Sequence, residues 1–243
     1  MGAASIALVT GANKGIGYEI AAQLARLGTM VLLGSRDRNR GEEAAAALRA
    51  AGGNVHCIVL DVTDATSIRT AAENIAERCH RLDVLVNNAG VTGPRALATA
   101  DLDAVRAVFE TNVFGALAVT NAMLPLLRRS SAGRIVNMSS SVASLSRTSD
   151  LNSPFAAVPP SAYGPSKTAL NALTVQYAKE LRGSGILVNA ADPGGAATDM
   201  TRSLGYQMSR SAAQAAAVAV RLATLPSNGP TGEFFDDNGP VPW

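Results

Sequence analysis

The sequence predicts an α/β fold: a single domain with a doubly wound parallel sheet and helices on both faces. Three observations point there. Short apolar runs alternate with longer segments of helical periodicity, the pattern of βαβ units. A glycine-rich turn from Gly11 to Gly17 follows the first run and opens the first helical segment. Successive runs lie far enough apart for a crossover helix between each pair.

Taken in order, Ile6–Val9 is the first strand and Gly15–Leu27 the first helix. Met30–Leu33, Val55–Leu60, Val84–Val86, Ile135–Met138 and Ile186–Ala190 follow as strands, with a last short one at Glu233–Phe235. Helices are expected at Arg40–Ala51, Ser67–Cys79, Leu102–Arg128, Ala162–Leu181 and Ser211–Ala223. Such a sheet places its ligand crevice at the carboxyl ends of its strands. Two stretches lack periodicity. Ser144 to Pro160, rich in Ser and Pro, reads as a long loop, and Thr201 to Arg210 joins a strand to the last helix. Both are expected over the crevice mouth, either shaping a substrate pocket or standing as tolerated surface insertions.

A chain of 243 residues, 47% hydrophobic and 16% charged, suits one soluble domain spanning 1–243. The net charge of +2, without a basic stripe, argues against nucleic-acid or membrane-surface partners. Cys57 and Cys79 have no CxxC spacing and are expected as reduced thiols. His56 and His80 lack metal-ligand spacing and are assigned to structure, so no metal is expected. No basic leader and no apolar run of spanning length is seen, so a cytoplasmic location is expected.

The chemistry centres on Tyr163-Gly-Pro-Ser-Lys167. On a helix these two side chains share a face, and a cation beside a phenol favours its phenolate. A tyrosine tuned in this way can give a proton to a carbonyl oxygen or take one from an alcohol. The turn Gly11-Ala12-Asn13-Lys14-Gly15-Ile16-Gly17 has G-x-x-x-G-x-G spacing, suited to bringing backbone close to a pyrophosphate at a helix N-terminus. At the end of the second strand, Ser35 stands where a ribose-binding acid is expected, and Arg36 follows. Arg36 and Lys14 together favour a 2′-phosphate, hence NADP(H) over NAD(H). Asp37 is expected to point away or to pair with a neighbouring cation.

Together these features resemble the short-chain dehydrogenase/reductase family over nearly the full length. Thr10 to Gly17 is similar to its TGxxxGxG turn, Asn87-Asn88-Ala89-Gly90 to its NNAG element, and Tyr163/Lys167 to its YxxxK pair. Asn112, the Asn137-to-Ser140 strand end and the Pro193-Gly194…Thr198 run match further motifs. Asn13-Lys14-Gly15 and the closing Gly239–Trp243 look like its carbonyl-reductase-like branch.

The resemblance implies a Rossmann fold and NADPH-dependent reduction of a ketone or aldehyde. Tyr163 would donate the proton, and Lys167 would hold the nicotinamide ribose and lower the phenol pKa. Ser140 would orient the substrate oxygen, with Ser139 or Ser141 as the alternatives. Asn112 would position a water leading from Lys167 to solvent. Asp61, followed by Val62, would meet the adenine amino group. Asn88, Ala89 and Gly90 would line the adenosine side, and Pro193, Gly194 and Thr198 the nicotinamide. The other readings are an NAD(P)-linked alcohol dehydrogenase of the same family and a non-catalytic NADP sensor. Asp192 reads as a turn cap or, alternatively, a pocket carboxylate; Met200 and Met208 as cavity-lining or core-filling. Ser140 and Tyr163 stand 23 positions apart, farther than in many members, which leaves a homodimer or a homotetramer open.

Overall fold

The computed structural model describes residues 4–243. Its sheet is formed by β1 (Ile6–Val9), β2 (Met30–Ser35), β3 (Val55–Val59), β4 (Val84–Asn87), β5 (Arg134–Met138), β6 (Leu187–Ala191), β7 (Phe234–Asp236) and β8 (Gly239–Pro240). The spatial order is β3-β2-β1-β4-β5-β6-β7-β8. All neighbours are parallel except the β7–β8 hairpin. The strand order reverses between β1 and β4, and the carboxyl ends of those two strands open the crevice.

Successive strand residues face opposite sides, and both sides are covered. Val9, Leu33 and Val86 pack with Ile20 and Leu24 of α1 (Gly15–Arg26), Leu48 of α2 (Arg38–Ala50) and, from later in the chain, Leu222. Leu8, Leu32 and Leu85 face the other way, onto Ile75 of α3 (Ala65–Cys79) and onto Met123 and Tyr177. Burial on both faces explains why the strands read as unbroken apolar runs.

The expected helix Leu102–Arg128 is interrupted. It runs as α4 (Leu102–Phe109), a wide π turn (Glu110–Gly115) and α5 (Ala116–Leu127). By length and composition Leu102–Leu127 could cross a membrane, but half of it is buried inside the protein. It packs on α3 and on α7 (Tyr163–Glu180) as a core helix.

Ser144–Pro160 is not a bare loop: Ser144 caps a short α6 (Leu145–Ser149), and Pro154–Ala157 forms a 3-10 turn. The second irregular stretch, Thr201 to Arg210, begins inside a short helix: Thr198 caps α8 (Asp199–Ser203) through a capping box with Thr201. The last helix, α9 (Ala212–Ala223), returns to the sheet.

Candidate active site

The glycine turn and the end of β4 are zipped together at the switch point. The Thr10 hydroxyl accepts from the backbone N–H of Asn88 and of Ala89, each at 3.0 Å. The Asn88 amide donates back to the carbonyls of Thr10 (2.8 Å) and Gly11 (3.1 Å). Gly17 is required by this approach: a Cβ there would lie 2.4 Å from Asn88 Nδ2 and 2.7 Å from the Gly11 carbonyl. Gly15 holds φ near 60°, a conformation that favours glycine.

This turn walls a cavity of about 870 Å³, in the range of cofactor sites. Its lining includes Gly11, Asn13, Lys14, Gly15, Ile16 and Gly17. Across from them stand Arg36, Asp61, Val62, Asn88, Ala89 and Gly90, and toward α7 Tyr163, Lys167, Pro193 and Thr198. Of the expected site residues, only Asn112, Ser140 and Gly194 lie outside the lining. No side chain caps the N-terminus of α1, so its first N–H groups remain available to an anion. The open turn, the uncapped helix and the cavity fit a dinucleotide.

Arg36 lines the cavity and makes no ion pair among the described residues. Asp37 points away, as expected, capping α2 through Arg40 N (3.1 Å) and pairing with the Arg40 guanidinium at 3.6 Å. The Asp61 carboxyl is held below its usual range, first by the Thr63 backbone N–H and also by the Thr63 hydroxyl and the Arg36 charge. Lys14 does not join Arg36 in a free pair of cations. Its ammonium lies 2.7 Å from Asp199, which also pairs with Arg202 and is held low by these two partners.

At the other end of the cavity, β5 and α7 bring the reacting groups together. Lys167 is buried, and its ammonium donates to the Met138 carbonyl at 2.7 Å while lying 5.6 Å from the centre of the Tyr163 ring. The three serines after Met138 separate by partner. Ser139 donates to Asn171 Oδ1 at 2.6 Å, and Ser141 donates to Asp192. Ser140 lies close enough to the Tyr163 phenol to favour its ionised form. Burial lowers the Lys167 pKa to about 8.

The expected lowering of the Tyr163 phenol is not found. Burial pushes it well up and the Asp192 charge adds to this, while the neighbouring Ser140 hydroxyl draws it partly back. Loss of water around the phenolate thus decides the direction of the shift.

Asn112 sits in the π turn, 1% exposed, with its amide already engaged. Its Oδ1 accepts from Val91 N (2.8 Å), and its Nδ2 donates to the Val91 carbonyl and to Ser166 Oγ, both at 2.9 Å. A water leading from Lys167 would therefore have to meet the backbone of the wide turn instead of the Asn112 amide.

Asp192 caps a turn, as read, accepting from Gly194 N at 2.9 Å; it is also buried. Met200 lines the cavity, whereas Met208 packs on Gly195. His56 meets Asn54 and His80 ends α3 in a left-handed conformation; no metal-holding cluster occurs among the described residues. The sequence reading missed Asp199 and Arg202 on the cavity wall. An acid directly after the capping Thr198 was the available signal.

A switch-point cleft ending on a Tyr–Lys pair places the molecule among the Rossmann-fold oxidoreductases. The family model described as short chain dehydrogenase matches residues 5–209, and the chain belongs to the short-chain dehydrogenase/reductase family. It is 35% identical to a carbonyl reductase [NADPH] 1 from Bos taurus, over 98% of each chain. Among solved structures it resembles salutaridine reductase from Papaver somniferum (TM-score 0.82, 30% identity, 96% of this chain and 99% of that one). It is also similar to the Pseudomonas aeruginosa RhlG/NADP active-site complex (TM-score 0.84, 32% identity, 97% and 95%).

Proposed function

We propose that the protein reduces a ketone or aldehyde to an alcohol with NADPH, and that Tyr163 gives the proton. The observation that carries this reading is the Tyr163–Lys167 pair on the cavity wall, with the buried ammonium 5.6 Å from the ring centre. A phenol pushed up by burial keeps its proton at neutral pH, as an acid for carbonyl reduction must. A substrate oxygen at this point takes the Tyr163 proton and a hydrogen bond from Ser140. The Lys167 ammonium offsets the phenolate left behind. The nicotinamide supplies the hydride when bound, so hydride plus proton convert C=O to CH–OH.

The preference for NADP(H) rests on Arg36, on the cavity wall with no ion pair among the described residues, and on Ser35, whose hydroxyl is spent on the Asp37 carbonyl at 2.8 Å. The bovine relative is named for NADPH, and the Pseudomonas structure holds NADP. Asp61 and Val62 are read as the adenine contact, Asn88 to Gly90 as the adenosine side, and Pro193, Gly194 and Thr198 as the nicotinamide side. The same reading holds the protein to be cytoplasmic, a homodimer or homotetramer, without nucleic-acid or membrane partners.

The test is titration with NADPH and NADH, followed by loss of nicotinamide absorbance against a panel of ketones and aldehydes. Preferential NADPH binding with turnover supports the reductase. Preferential use of NADH would favour an NAD-linked alcohol dehydrogenase, and tight NADPH binding without turnover in either direction a sensor.

A further inference from the structure

Four basic side chains line the dinucleotide cavity: Lys14, Arg36, Lys167 and Arg202. Two acids line it with them, Asp61 and Asp199. Lys167 belongs to the reacting end, where its ammonium donates to the Met138 carbonyl at 2.7 Å. The other three are the groups able to meet the cofactor phosphates, and one carboxylate holds two of them. Asp199 Oδ2 takes the Lys14 ammonium at 2.7 Å, and Oδ1 takes the Arg202 guanidinium. Asp61 is engaged differently, accepting from Thr63 N at 2.9 Å and from the Thr63 hydroxyl at 2.7 Å.

The chain dictates where Asp199 stands. Thr198 caps α8, so Asp199 is its first helical residue, a position that favours an acid. That cap lies near the glycine turn: a Cβ on Gly15 would stand 3.8 Å from Thr198 Cγ2. Lys14 directly precedes α1, whose first N–H groups are available to an anion. The Asp199 charge therefore sits beside the cations that flank this anion seat.

The Lys14, Asp199 and Arg202 side chains are 61%, 57% and 65% exposed, so these pairs are weak and a phosphate can exchange with the carboxylate. A carboxylate so placed opposes every phosphate of a dinucleotide, and opposes the more highly charged ligand more strongly. NADPH carries a 2′-phosphate in addition to the pyrophosphate that it shares with NADH.

We propose that Asp199 is a specificity-determining residue that restrains the preference for NADP(H): it engages Lys14 and Arg202, opposes the additional phosphate, and leaves Arg36 to carry the discrimination. The inference rests on the proposed use of NADPH and deepens it. Removing the carboxylate frees two cations for the cofactor phosphates. The gain lies between exposed charges, so salt should screen it.

The test measures the Kd of NADPH and of NADH by fluorescence titration. The proteins compared are the unaltered chain, D199N, D199E, K14A and the K14A/D199N double variant. At low salt D199N should tighten NADPH about threefold to fivefold and NADH by less than about twofold. The gain should fade near 1 M salt, where the Debye length is about 3 Å. K14A should cost more NADPH affinity in the D199N background, where Lys14 has lost its carboxylate partner. D199E keeps the charge and should keep the unaltered ratio of the two Kd values.

An unchanged ratio in D199N, or the same shift in D199E, would overturn the inference and reduce Asp199 to the first residue of α8. So would a gain that persists in high salt, or an equal cost of K14A in both backgrounds. If the unaltered protein itself prefers NADH, the NADPH reading fails, and the change of ratio in D199N still decides the role of Asp199. Should D199N not fold, D199S removes the same charge and must shift the ratio in the same direction.

Discussion

Lys14 on the glycine turn and Asp199 at the start of α8 meet at 2.7 Å, although 185 positions separate them. The contact links the start of α8 to the glycine turn at the cofactor cavity, which both residues line. It also makes the two cations on that cavity unequal: Lys14 has an anionic partner and Arg36 has none among the described residues. Both ions of the Lys14–Asp199 pair are largely exposed, so the contact itself is worth little.

The inequality predicts which substitution governs cofactor choice. Arg36→Asp should remove the phosphate contact and offer an acid to a ribose hydroxyl. NADPH should lose about tenfold to a hundredfold in kcat/KM, with NADH becoming preferred. Lys14→Ala should cost NADPH less and leave the order of preference unchanged. Measuring kcat/KM for both cofactors decides it; an unaltered ratio in the Arg36 variant removes that residue from the contact.

Tyr163→Phe deletes one oxygen, the phenol's, and leaves the ring beside Lys167. Turnover should fall by about a hundredfold to ten-thousandfold, the usual worth of a general acid, with the NADPH Kd essentially unchanged. Fluorescence titration with NADPH, alongside kcat, separates the two effects. A near-normal rate would place the proton donor elsewhere.

Much of this arrangement was legible in the sequence because it rests on local pattern. The strands are buried on both faces and read as apolar runs; the glycine turn is dictated by a Cβ that Gly17 cannot carry. The π turn was not legible, because a shift of hydrogen bonding by one residue changes neither composition nor periodicity across Leu102–Leu127. Nor was the separation of Ser139, Ser140 and Ser141, which depends on Asn171, Tyr163 and Asp192 arriving from other elements. The lowered phenol was inferred from its neighbour Lys167 alone, whereas burial, a property of the whole fold, decides it. The β7–β8 hairpin escaped notice because β8 is only two residues long.

Burial of Lys167 also affects stability. Its pKa falls to about 8 from an ordinary value of 10.5, so between those pH values the unfolded chain binds a proton that the folded protein does not. The contribution of Lys167 to the stability of the cofactor-free protein should therefore rise as pH increases through that window, by about 3 kcal/mol at most. Lys167→Met should flatten the rise and be more stable than the unaltered protein near pH 7. Thermal melts from neutral to alkaline pH test this; parallel curves for the two proteins would show that the ammonium carries no such cost.

The stretch between Ser140 and Tyr163 is held from an unexpected side. The Ser144 hydroxyl donates to the Pro242 carbonyl at 2.6 Å, and Ser146 donates to the Trp243 carbonyl from its backbone (3.0 Å) and its hydroxyl (2.7 Å). The Trp243 ring stacks on Phe234, centroid to centroid 5.6 Å, and so fastens these acceptors to β7. None of residues 144–160 lines the dinucleotide cavity, so this clasp stands clear of it. Deleting Pro242 and Trp243 should free α6 and loosen Arg147 from Asp236 while leaving cofactor binding intact. The lost stacking and hydrogen bonds predict a rise of about tenfold in the substrate KM. The same deletion should speed proteolytic cleavage within 144–160, with the NADPH Kd unchanged. If KM and the cleavage rate both hold at their original values, the stretch keeps its shape without the clasp, and the long Ser140–Tyr163 spacing is self-supporting.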